Sequence, residues 1–166
     1  MGYGTSAGSS KEETEMILIP HTYAEWANIL DVFQSGTNDA EVLEAMTRGT
    51  VEWQSGVADR FSRRLIDSVN ARMNAASDRF QKNVARAGGS EGEIVRALLA
   101  LRKEMSFLAS AIALPALPEK ERKYYRQLVI DQANRMQKSL EDSARRDRSG
   151  RMASIIRNHR VNTIQG

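Results

Sequence analysis

Residues 90–112, SEGEIVRALLALRKEMSFLASAI, carry the reading that decides the fold. Ile94, Leu98, Leu101, Met105, Leu108 and Ile112 are separated by alternating steps of four and three residues. That spacing places all six on one face of an α-helix and repeats as a heptad seam. Val95, Leu99 and Phe107 widen the apolar surface beyond a two-stranded seam, which argues for the interior of a helical bundle. Ser90 suits the N-cap, and Glu91 and Glu93 in the first turn suit the positive end of the helix dipole.

The flanks of this stretch are punctuated. Gly88-Gly89 stops whatever precedes it. Leu114-Pro115-Ala116-Leu117-Pro118 breaks the helix that follows, and Pro118 with Glu119 and Glu121 can open another. Upstream, residues 51–87 are helical in pattern. Trp53, Val57, Phe61 and Leu65 step by four, then Ile66, Val69, Met73, Ala76 and Phe80 step by threes and fours. The run of fours drifts around the helix, so this element is expected to meet different neighbours along its length. Gly56 interrupts the pattern locally. Downstream, residues 118–146 carry a stripe of Tyr125, Val129, Ala133, Met136 and Leu140, with Tyr124 and Leu128 beside it. Short, rigid links between amphipathic helices predict antiparallel hairpins.

Two shorter helices precede these. Tyr23, Trp26, Ile29, Leu30 and Phe33 form one face of a helix from about Thr22 to Gln34, bounded by Pro20 and Gly36. Thr37, Asn38 and Asp39 cap the next, whose apolar side is Val42, Leu43 and Met46. Residues 1–15 are dominated by Gly, Ser, Thr and Glu and read as a flexible leader. Met1-Gly2 with Ser6 fits only a loose myristoylation pattern. After Ser149-Gly150, residues 151–166 hold Met152, Ile155 and Ile156, enough for a short docked helix or for a tail that orders on a partner. The expected fold is therefore all-α: an antiparallel helical bundle of long coiled-coil-like helices over residues 16–148, with a flexible leader at 1–15 and a basic C-terminal tail at 149–166.

The net charge of +3 conceals a gradient. Residues 1–50 hold Lys11 and Arg48 against eight acids, while residues 51–166 hold 22 basic groups against 13 acids. Arg145, Arg146, Arg148, Arg151, Arg157 and Arg160 face one nearby acid, Asp147. Arg60, Arg63, Arg64 and Arg72 add a basic band on the long helix. Such clustering predicts an anionic partner, either protein or nucleic acid, whose binding weakens with salt.

Enzymatic chemistry finds no support in the sequence. There is no cysteine, which excludes disulfides and thiolate chemistry and fits a reducing, cytoplasmic compartment. The two histidines, His21 and His159, stand far apart in sequence, without a Glu-x-x-His or His-Glu-x-x-His motif. Gly88-Gly89-Ser90-Glu91-Gly92 opens a helix but lacks a Walker lysine, and Glu91 and Glu93 would repel phosphate. No Gly-x-Ser-x-Gly elbow is present. No catalytic, metal or cofactor site is expected.

The sequence thus reads as a non-enzymatic assembly or adaptor subunit that binds copies of itself and a larger protein partner. A nucleic-acid-binding or packaging accessory protein using the arginine-rich end is the alternative. A helix-turn-helix over residues 24–54 would turn Asp39, Glu41 and Glu44 toward DNA, which disfavours that module. The uncharged stretch from Ser106 to Pro118 allows a minor third reading, a membrane-active hairpin tip, although it is too short to span a bilayer.

Overall fold

A computed structural model describes residues 17–51 and 57–164. The leader at 1–15 lies outside the described residues, as do Trp53 and Gly56. Among the described residues the chain forms six helices and no strand: α1 Tyr23–Ser35, α2 Asp39–Arg48, α3 Val57–Ala87, α4 Glu91–Ile112, α5 Glu119–Ala144 and α6 Arg151–Asn158. The fold is all-α, as the heptads predict.

Helix starts follow the local chemistry. Thr22 caps α1 in a reciprocal box: its hydroxyl accepts from the Glu25 N–H at 3.2 Å, while Glu25 Oε1 accepts from the Thr22 N–H at 3.1 Å. The His21 N–H also donates to that carboxylate. These backbone donors, His21 first, hold the Glu25 carboxyl below its ordinary pKa. Gly36, at φ 77°, ends α1 in the left-handed conformation. Gly88 and Gly89, at φ 56° and 89°, turn α3 back into α4.

The α3–α4 hairpin and α5, antiparallel to α4, form the frame. Leu98, Met105 and Leu108 are fully buried, and Leu101 and Ile112 nearly so. The α3 stripe meets them through Phe61, Leu65, Val69, Met73 and Ala76. α1 closes the lower half of α3 with Trp26, Ile29, Leu30 and Phe33, and Trp26 meets Phe61 edge to face at 4.9 Å between centroids. Gly49 is required beside this anchor. A Cβ there would lie 2.5 Å from Trp26 Cζ2 and 2.9 Å from Pro20 Cγ. The close approach lets Trp26 Nε1 donate to the Thr50 carbonyl at 2.8 Å.

One arginine departs from the sequence reading. Arg72 belongs to no solvent-facing basic band; it is 5% exposed. Its position follows from register, because residues 61, 65, 68, 72 and 76 lie on the core side of α3. The guanidinium binds Glu104 through Nε and Nη2 at 2.9 and 2.6 Å, and Asp39 through Nη1 and Nη2 at 2.8 and 3.0 Å. Nη1 also donates to the Phe33 carbonyl at 3.1 Å. The Phe33 and Phe107 rings lie 4.9 and 4.7 Å from its central carbon. Burial pulls its pKa down, but the hydrogen bonds and charges of Asp39 and Glu104 outweigh this and hold it above the ordinary value. Arg72 thereby ties α1, α2 and α4 to α3.

The last segment is a docked helix. α6 runs back along α5, with Ile156 and Val161 buried against Ile94, Leu98 and Ala144. The buried Gln137 of α5 fastens it: its Oε1 accepts from the Val161 N–H at 2.9 Å and its Nε2 donates to the Ile156 carbonyl at 3.4 Å. Of the two fates the sequence allowed for residues 151–166, a docked helix is the one seen over 151–158.

Candidate interaction surfaces

The turn between α5 and α6 gathers the arginine-rich end. Asp147 shapes it, accepting from the Ser149 hydroxyl and N–H and from the Met152 N–H. The Met152 N–H is the leading reason its carboxyl lies below the ordinary aspartate range, and Ser149 adds to it. The one acid within the arginine run is therefore committed to starting α6.

The six arginines divide into two groups. Arg145 pairs with Asp142 at 3.6 Å, Arg160 pairs with Glu141 at 3.6 Å, and Arg151 pairs with Glu91 of α4. Arg146, Arg148 and Arg157 are exposed and form no ion pair among the described residues. Glu93, the other acid at this end of α4, is occupied by Arg96 at 2.7 Å. Pairs this exposed contribute little stability, yet they cancel charge locally and leave Arg146, Arg148 and Arg157 as net positive positions.

Arg60, Arg63 and Arg64 do not join this cluster. They occupy the first turns of α3, whose far end leads through Gly88-Gly89 to the start of α4, where Glu91 pairs with Arg151. From residue 64 to residue 86 the helix rises about 33 Å. Arg60 and Arg63 are exposed, whereas Arg64 is half-buried and bound to Asp31 of α1 at 2.7 Å. The two basic groups named from sequence are separate surfaces at opposite ends of the bundle.

A second feature was not foreseen. Between α3 and α5, over the face of α4, runs an open groove of about 660 Å³. Phe80, Val84, Leu101, Met136 and Leu140 supply its apolar lining, and Arg135 is the one charged residue among those that line it. The sequence stripe of α5 contains the signal. Tyr125, Val129 and Ala133 are buried, but Met136 and Leu140 further along are only half-buried, because among the described residues no helix covers them on the α3 side.

The apolar tip from Ser106 to Pro118 folds inward, with Leu108, Ile112, Leu114 and Leu117 all buried. Among the described residues no helix is long and apolar enough to cross a membrane. His21 is exposed, with Nδ1 2.7 Å from the Thr50 hydroxyl, and His159 Nδ1 lies 3.0 Å from the Ile155 carbonyl. Among the described residues, no three side chains of His, Asp or Glu are grouped to hold a metal ion. Compared with protein-family models, with curated proteins and with solved structures, the chain finds no match, and its function is read from these surfaces.

Proposed function

We propose that this protein is a non-enzymatic interaction subunit that binds an acidic surface of a larger protein partner at the arginine-rich end of its bundle. The observation that carries this reading is the division of the arginines. Arg146, Arg148 and Arg157 stand exposed and unpaired among the described residues, while Asp142, Glu91, Glu93 and Glu141 are each engaged. Docking of α6 holds Arg157 on a formed helix, and the Asp147 turn orders Arg148, so less chain entropy is lost on binding than from a mobile tail.

Acidic protein fits this surface better than nucleic acid. A nucleic-acid backbone is a long line of negative charge, and the surface offers three unpaired cations among five carboxylates, Asp147 included. Among the described residues, the turn and helix that carry them, 145–158, hold no aromatic side chain to serve as a stacking platform. Binding to copies of itself stays part of this proposal, and Leu18, Tyr23, Leu99 and Tyr124 are the exposed large apolar residues described.

The test is fluorescence anisotropy with two labelled probes, a polyglutamate peptide and a single-stranded oligonucleotide, over a salt series. Polyglutamate should bind the wild type in a salt-sensitive way and lose that binding in the R146E/R148E/R157E variant. Tighter binding of the oligonucleotide, abolished by the same substitutions, would favour the nucleic-acid reading. Binding that ignores the substitutions would overturn the assignment of the surface.

A further inference from the structure

We infer that the α3–α5 groove is the docking site for an acidic amphipathic helix of the partner protein. This rests on the reading of the arginine-rich end as a protein-binding surface and names the shape of what it binds.

The groove has the dimensions of a helix seat. Its walls run from Asn74 to Ala85 on α3 and from Gln132 to Ser143 on α5. Each spans about 17 Å, a little over three turns. Ser77, Ala85, Ser139 and Ser143 are small side chains on these walls, so a helix backbone can approach closely between them. The apolar floor would receive the i, i+3, i+4 and i+7 side chains of one helical face. The opposite flank of α5 shows the same device completed. There Gln137 and Ala144 carry α6, an eight-residue helix with its Ile156 buried. The α3 flank has no equivalent cover among the described residues.

Charge selects the occupant. Arg135 lines the groove and no carboxylate does. Arg146 stands exposed in the turn just past α5, its N–H donating to the carbonyl of the groove-lining Ser143 at 3.2 Å, and adds positive charge at that end of the groove. Asp78 and Lys82 of α3 are exposed and opposite in charge. A helix carrying glutamates or aspartates beside its apolar face therefore fits, and a cationic one is repelled. A second copy of this chain does not provide it from its described residues. Its acid-bearing helix α2 has Val42, Ala45 and Met46 buried in its own core.

The experiment uses a labelled peptide of about four turns, with leucines at helical spacing and glutamates elsewhere. Two further probes accompany it: the same peptide with lysines for glutamates, and polyglutamate. The leucine–glutamate peptide should bind tightest, and the lysine peptide should not bind. Ser139 is exposed, so Ser139→Arg should fill the groove without disturbing the core. It should weaken leucine–glutamate binding more than about tenfold, as blocking a packed interface position does. Ser143→Arg provides a second block should S139R alter the thermal melt. Arg135→Glu with Arg146→Glu should act similarly, whereas Arg60→Glu, exposed in the first turns of α3 at the other end of the bundle, should leave binding of this peptide unchanged. If polyglutamate binds as well as the amphipathic peptide and S139R has no effect, the groove proposal fails while the arginine surface stands. If no acidic peptide binds, both fail. Displacement of the peptide by an oligonucleotide, or a dimer in light scattering that S139R disperses, would also overturn it by placing a different occupant in the groove.

Discussion

Among the described residues, Arg72→Ala should be the most damaging single substitution at a polar position. The guanidinium is 5% exposed and makes five hydrogen bonds, four of them to the two carboxylates. Removing one partner of a buried ion pair typically destabilises by about 3–5 kcal/mol, because the other charge is left uncompensated. Here the orphaned side chains are Glu104, 17% exposed, and Asp39, 34% exposed. Both can recover some hydration, which places the ionic part near the lower limit, about 3 kcal/mol. Loss of the contacts with the Phe33 and Phe107 rings adds about 1 kcal/mol. A total of about 4 kcal/mol is a large share of the 5–15 kcal/mol typical of a domain. Urea denaturation followed by circular dichroism measures it, as a lower midpoint at constant slope. The loss should shrink in a Glu104→Gln background, where one of the orphaned charges is gone. A loss below about 1 kcal/mol, the range of exposed ion pairs, would refute the clasp and return Arg72 to the surface.

Three further outcomes follow from the packing. Leu101→Ala should destabilise by about 2–5 kcal/mol, toward the lower end because the neighbouring groove lets side chains settle; a loss under half a kilocalorie in the same urea assay would remove Leu101 from the core. Deleting residues 149–166 uncovers the sites of Ile156 and Val161, and calorimetry should show Tm falling by roughly 5–10 °C with the helical spectrum largely kept; an unchanged Tm would mean α6 is not docked. The depressed carboxyl of Asp147 contributes stability that is present above the ordinary aspartate pKa and lost as pH falls through the lower, folded value. Asp147→Asn should therefore flatten the acid side of a plot of Tm against pH, and an unaltered slope would exclude that role.

Much of the fold was legible because burial here follows helical period. The six heptad residues of α4 are buried, and Pro118, Gly36 and the glycine pair mark the helix ends as their backbone preferences dictate. Position, by contrast, was legible only where composition and register agreed. Arg72 carries a residue type that belongs in solvent at a register that belongs in the core, and residue type misled. What resolves the conflict is tertiary: Asp39 and Glu104, 33 and 32 residues away, converge on it. The arginine-rich end was visible as composition, but which arginines are spent in ion pairs depends on Glu91 and Glu141 being brought alongside. The groove had a partial signal in Met136 and Leu140. Those residues fit a core stripe equally well, and only the spacing of α3 from α5 leaves them half-covered.

The central claim is that the end of the bundle carrying Arg146, Arg148 and Arg157 is where an acidic protein partner binds. Its most direct test is a titration of isotope-labelled protein with the leucine–glutamate peptide, followed through backbone amide and arginine Nε–H resonances. The account predicts that the shifts concentrate at Arg146 and Arg148 and along the groove walls at residues 74–85 and 132–143, with the first turns of α3 at Arg60 and Arg63 unmoved. Shifts gathered instead on Arg60, Arg63 and α1, or spread evenly over the surface, would contradict it.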